Sequence, residues 1–351
     1  MIAHSRPRAG HGLGLTLAVV SAATFGTSGT FGSALIGAGW SPAAAVLARI
    51  TLSAVLLTVP AVLALRGRWG LLRRHAGAAA AFGLIAVAGC QLCYFNAIQR
   101  MPVGVALLLE YLGVVLVVGW LWLRHGQRPR RLTVLGGGTA IAGLACVLDL
   151  SGPGRISLVG VAWGLLAAVG LAIYFLLSAH TPAGPDAPAP LPPIVMAWAG
   201  MWVGAVALGA VGWAGLVPLT AATGPVTFLR HQVSWVLPVT GLALVAAVVP
   251  YVAGIGAARR LGAKLASFIG LAEVLFAVLF AWLLLGQLPS PVQFLGGALI
   301  LAGVTAVRVD ELREVPSAGP HPDPVPDGGP GPDPVPDGAG PREGRPAGVV
   351  R

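Results

Sequence analysis

The sequence predicts an all-α integral membrane protein of ten transmembrane helices, arranged as two inverted five-helix repeats. Composition, the spacing of charges and an internal repeat carry that prediction. Of 351 residues, 56% are hydrophobic and 10% charged, and the mean hydropathy is +0.83. A soluble domain carries about 25% charged residues. The charges are also clustered, and the stretches between arginine-bearing segments stay nearly charge-free over more than about 18 residues, the pattern of spanning helices. Many of the 50 glycines lie inside these apolar runs, where small residues let helices approach closely in lipid.

Ten apolar segments of about 17–25 residues are long enough to cross about 30 Å of hydrocarbon. They cover residues 13–35, 43–65, 77–98, 102–123, 132–149, 158–179, 193–216, 234–257, 265–286 and 291–308. Each must satisfy its backbone internally, which requires helices. An outer-membrane barrel would need strands of about 10 alternating residues, and the sequence has none. The first run, from Leu13, is too long for the core of a signal peptide and reads as a retained span.

Basic residues orient the chain. With the N-terminus inside, the inner segments hold fifteen: Arg6, Arg8, Arg66, Arg68, Arg73, Arg74, Arg124, Arg128, Arg130, Arg131, Arg259, Arg260, Lys264, Arg308 and Arg313. The outer loops hold three, Arg100, Arg155 and Arg230. Both termini are therefore expected in the cytoplasm. The expected organisation is a tail over 1–12, a first five-helix repeat over 13–150, a second over 158–308, and a second tail over 309–351. In that last segment PDPVPDGGP (322–330) recurs as PDPVPDGAG (332–340). Such a Pro/Gly/Asp-rich stretch buries too little apolar surface to order itself.

Sliding the chain by 160 residues aligns Ala106–Leu148 with Ala266–Arg308 without a gap, with 14 of 43 positions identical. The matches include Gly126-Gln127 with Gly286-Gln287, Leu135-Gly136-Gly137 with Leu295-Gly296-Gly297, and Ala142-Gly143 with Ala302-Gly303. Five spans per repeat is an odd number, so the halves must be inverted. The loops agree, because residues 124–131 contain four arginines and 284–291 none. Inverted repeats are the architecture of alternating access around a midplane site.

Ten spans in two inverted halves resemble the EamA family of the drug/metabolite transporter superfamily. The stretch MPVGVALLLEYLGVVLV from Met101 is similar to the amino-acid exporters of that family, of threonine/homoserine type. KLASFIGLAEVLFAVLFAWLLLGQ from Lys264 resembles the family's second repeat. The resemblance implies export of a small polar metabolite or amino acid. Two departures concern proline: Val274 follows Glu273 where the family often has Pro, and Val114 holds the related position. Without these prolines the usual kinks are not expected. Pro60 and Pro250 are read as kinks instead.

Three charges remain inside the spans: Arg49, Glu110 and Glu273. Each costs roughly 2.5–3.5 kcal/mol on insertion scales, so each must face protein or water. At 1.5 Å per residue, Arg49 and Glu110 lie at similar depth, about 9–12 Å below the outer face, where an Arg–carboxylate pair is geometrically reasonable. One reading has Arg49 or a carboxylate contacting a charged substrate group, with a glutamate carrying a coupling proton. The other is a fixed Arg49–Glu110 lock. Uncharged polar residues within the spans extend the candidate set: Thr27, Ser28, Gln91, Tyr94, Asn96, Tyr111, Tyr174 and Tyr251. Proton coupling, exchange and facilitated flux all fit this set.

Other classes are disfavoured. The net charge of +10 comes in short bursts between apolar runs rather than one stripe, so the membrane-orientation reading displaces a nucleic-acid one. Cys90, Cys93 and Cys146 all fall in apolar segments and imply no disulfide framework and no metal site. No G-x-x-x-x-G-K-[ST] loop and no H-E-x-x-H motif occur. The expected partners are a small-molecule substrate, the lipid bilayer and protons, with no cofactor and no enzymatic activity. The rival functions are efflux of cationic or amphipathic compounds, and a non-transporting membrane regulator acting through the tail.

Overall fold

Ser41 shows how the apolar segments become helices. Its Oγ accepts from the Ala44 N–H at 3.2 Å, and Pro42 occupies the first turn, where no N–H is needed. The helix Pro42–Leu65 then runs without interruption through Pro60 and closes at Arg66 in the left-handed region, φ 46°. Pro60 therefore lies within a continuous helix. The computed structural model describes residues 8–125, 130–148, 157–179, 191–229, 231–261 and 269–313. Within them every segment read as a span is helical. Six stretches are long and apolar enough to cross a membrane: Gly12–Gly37, Pro42–Leu65, Ala76–Ile98, Val103–Arg124, Pro193–Trp213 and Val236–Gly254. Four more are apolar over 10–17 residues: Arg131–Cys146, Leu158–Ile173, Ala272–Leu285 and Pro291–Val307.

Several helices are interrupted where the sequence offers no proline. The first breaks at Thr27, between Arg8–Gly26 and Ser28–Gly37. The fourth breaks at Leu112, between Val103–Tyr111 and Gly113–His125. A turn at Leu271 precedes Ala272–Leu285. The missing prolines at Val114 and Val274 thus do not mean continuous helices. Two π-helical stretches, Phe82–Gly89 and Gly241–Val248, lie inside otherwise α-helical runs. Pro250 follows the second. Lacking an N–H, it cannot supply the α-helical donor to the Ala246 carbonyl.

The repeated Gly-Gln block has a visible use in the second copy. Gly286 caps Ala272–Leu285 in the left-handed region, φ 71°, a conformation cheap only for glycine. Gln287 Oε1 then accepts from the Val103 N–H at 3.1 Å, capping a different helix. The first copy, Gly126-Gln127, lies outside the described residues, as do 314–351 of the expected C-terminal tail.

The main helix pairings join the chain before residue 150 to the chain after 157. Arg131–Leu148 packs along Pro291–Arg313, Arg8–Gly26 against Val249–Leu261, Pro42–Leu65 against Pro193–Trp213, and Cys90–Ile98 against Leu158–Ala179. The core, including Leu35, Ile50, Leu57, Phe95, Leu109 and Leu242, is buried along these seams. The first pairing is built from glycines. A Cβ on Gly136 would lie 2.6 Å from the Gly303 carbonyl oxygen, and one on Gly143 would lie 2.6 Å from that of Gly296. Position rises on one helix as it falls on the other, so the two run antiparallel. Gly143→Ala is expected to force them apart at a cost of about 1–3 kcal/mol. The check is the melting temperature in detergent; an unchanged value would mean the crossing is loose.

Between Pro193–Trp213 and Val236–Thr240, where no element is expected from the sequence, a small hairpin forms. Val226–Phe228 pairs antiparallel with His231–Val233, in the register Val226↔Val233. Phe228 stacks on Phe31 at 5.2 Å, and Trp40 Nε1 donates to the Ala222 carbonyl at 2.8 Å. Large apolar side chains such as Leu123 and Trp213 point outward, as a hydrocarbon-facing surface requires.

Candidate functional site

The break at Thr27 and the two π-helical segments converge on Arg49. Its side chain is 4% exposed and reaches across three helices. Nη1 donates to Ser28 Oγ at 2.8 Å and to Gln91 Oε1 at 2.6 Å. Nη2 donates to the Ala246 carbonyl at 2.9 Å, an oxygen within the second π-helical stretch. One turn further along its helix, Ser53 donates to the Ala243 carbonyl at 3.2 Å. Arg49 and Ser53 thus bind the π-helical stretch of the second half of the chain to a helix of the first.

The carboxylates are held elsewhere. Tyr111 Oη lies 2.9 Å from Glu273 Oε2 and 3.4 Å from the Gly270 carbonyl oxygen, joining the broken helix at Leu112 to the turn at Leu271. The Cys90 thiol lies 3.4 Å from Glu110 Oε1 and 3.4 Å from the Ala167 carbonyl oxygen. The expected Arg49–Glu110 lock is therefore not formed. The rotation of each helix about its axis turns the guanidinium to neutral acceptors and the carboxylate to a thiol.

Arg49, Ile50, Ser53, Ala86, Val87, Gln91, Met201, Ala247 and Tyr251 line a small cavity of about 20 Å³. That is room for about one water. Both π-helical stretches contribute to it, through Ala86 and Val87 from one and Ala247 from the other. Such bulges recur at functional sites because they release backbone groups from the helix ladder.

The remaining candidates divide. Ser28, Gln91 and Tyr251 join the Arg49 cluster, and Tyr251 also packs edge-on against Phe25 at 5.5 Å. Tyr94 is buried with its hydroxyl against Gly29, and its ring lies 5.8 Å from that of Phe95. Thr27 turns back to the Thr24 carbonyl at 2.6 Å. Asn96 donates to the Leu92 carbonyl of its own helix at 2.8 Å, so neither is brought into the cluster. Tyr174 lies on Leu158–Ala179, and its side chain is outside the described residues. Ser53 and Cys90 were missed by the sequence reading. A serine or cysteine in an apolar helix looks like any other small packing residue, and only its partner distinguishes it. Among the described residues, no group of three or more His, Cys, Asp or Glu side chains could hold a metal ion.

The EamA-like transporter family model matches residues 12–149 and 158–309. The chain belongs to the EamA-like transporter family. An uncharacterized inner membrane transporter of Salmonella typhimurium, YicL, is similar to it, with 24% identity over 239 residues, 68% of this chain and 74% of that protein. A crystal structure of another protein superposes with a TM-score of 0.57 at 20% identity, covering 86% of this chain and 99% of that one, a likeness of fold. This EamA-like protein is accordingly a multi-pass membrane transporter.

Proposed function

We propose that this EamA-like transporter is a secondary transporter of the cytoplasmic membrane. In this reading it exports small polar metabolites or amino acids by alternating access, and its ten helices form two inverted five-helix halves. One observation carries the proposal: charged side chains deep in apolar helices tie the two halves together. Arg49 reaches Ala246 across the seam, and Tyr111 reaches Glu273. Midplane sites at a repeat interface are where rocking of one half against the other changes access. The inversion is supported by the reciprocal antiparallel contacts of Gly136 with Gly303 and Gly143 with Gly296, pairs related by the 160-residue repeat. Arg49, Ser28, Gln91 and Tyr251 form the substrate site, with Tyr94 beside it, and Glu273 with Tyr111 forms the coupling site for protons.

The deciding experiment compares the metabolites released by cells with and without the protein. Expression-dependent release of small polar solutes supports the proposal, and release of lipophilic cations alone favours drug efflux. Deletion of residues 315–351 is expected to leave that flux unchanged. A tail-based regulator would instead lose its effect. Cysteine labelling should place residues 124–131 and 286–290 on opposite membrane faces; labelling from one face would remove the inverted arrangement.

A further inference from the structure

We infer that Arg49 is the receptor for a carboxylate of the transported molecule, so that the cargo is a small organic acid or a zwitterion and not a lipophilic cation. This rests on the transporter reading above and narrows it. The guanidinium is almost wholly buried, and the three acceptors it meets, Ser28, Gln91 and the Ala246 carbonyl, are all uncharged. Each neighbouring carboxylate has another partner, Glu273 with Tyr111 and Glu110 with Cys90. A buried cation without an anion is costly, and pairing with one recovers much of that cost.

The geometry points to what would pair with it. A guanidinium has five N–H donors, and three are used. Among the described residues nothing accepts from Nε or from the second hydrogen of Nη2. These are neighbouring nitrogens of one fork, the spacing that suits two carboxylate oxygens. The same side chain lines the cavity between the two π-helical stretches. Among the described residues no second basic side chain lines it, so the site matches one negative charge, that of a carboxylate, better than a doubly charged phosphate. A cation entering the cavity would meet Arg49 at close range in a low dielectric, where like charges repel strongly. Gln91 and Ser28 are positioning residues, since both hold Nη1 and leave the other edge of the fork open.

The test uses the full-length protein in proteoliposomes. The probes are threonine, homoserine, lactate and succinate, each beside its methyl ester, with tetraphenylphosphonium as the lipophilic cation. Flux and thermal shift are both read. The acids are expected to be preferred over their esters by about tenfold, the ratio that 1.4 kcal/mol represents. Arg49→Lys should keep the preference at lower affinity, and Arg49→Gln should lose it. Gln91→Glu should also abolish it with Arg49 intact, because a carboxylate built into the protein would occupy the guanidinium. That variant keeps the test open if Arg49→Gln does not fold. Equal treatment of acids and esters, preference for the phosphonium, or no acid bound at all would each overturn the inference, while flux without acid preference leaves the transporter reading standing. Arg49-dependent thermal stabilisation by acids with no flux would do the reverse.

Discussion

Glu273→Gln is expected to insert, fold and melt like the wild-type protein while losing gradient-driven flux. Glutamine has the shape of glutamate, and its carbonyl oxygen can still accept from Tyr111, whose hydroxyl lies 2.9 Å from Glu273 Oε2. It cannot release or take up a proton. The substitution therefore separates holding the Leu271 turn against the Leu112 break from carrying charge between the two membrane faces. Intramembrane carboxylates are expensive and recur in proton relays. In proteoliposomes with an imposed pH difference, the variant should show no accumulation driven by that gradient, while downhill exchange of substrate persists. Wild-type accumulation at equal protein would show that Glu273 serves packing only. Tyr111→Phe is the companion: it removes the hydroxyl and keeps the carboxylate, so it should weaken coupling without abolishing it.

Arg49→Ala is expected to destabilise the protein by about 3 kcal/mol, and a second substitution, Glu110→Ala, is not expected to restore it. The loss has two sources: a cavity where a long side chain was, and buried acceptors left without donors at Ser28, Gln91 and Ala246. Glu110 is bonded to Cys90, so removing it relieves nothing at position 49. It adds its own cost by leaving a cavity where a buried side chain was, while the Cys90 thiol keeps the Ala167 carbonyl. The double variant should melt below both single variants. If it melted higher than Arg49→Ala, the two charges would be energetically paired after all and the neutral network around Arg49 would be secondary.

Much of this protein was legible in its sequence. The charge-poor segments are helical wherever they fall within the described residues, with ends displaced by up to about five residues, because an apolar run bounded by arginines and prolines has only one way to satisfy its backbone in hydrocarbon. Belonging to a transporter family was legible too, in the segments from Met101 and Lys264. The identity of the charges within the spans followed from composition alone, since Arg49, Glu110 and Glu273 stand out in runs that otherwise contain none. Other features had no linear signal. The breaks at Leu112 and Leu271 occur without proline, and the π-helical stretches use ordinary alanines, valines and glycines. The hairpin at 226–233 lies in a segment with no alternating pattern.

What the sequence determined by itself was which segments are apolar helices and which charges interrupt them, because a charge-poor run in hydrocarbon must satisfy its backbone within itself. What only the tertiary structure decided was which of them meet. Arg49 and Glu110 are expected at one depth from the sequence yet face different neighbours, because helix rotation is set by packing between helices, as across the glycine seam. A shift of one residue turns a helical side chain by about 100°, and no depth estimate contains that angle.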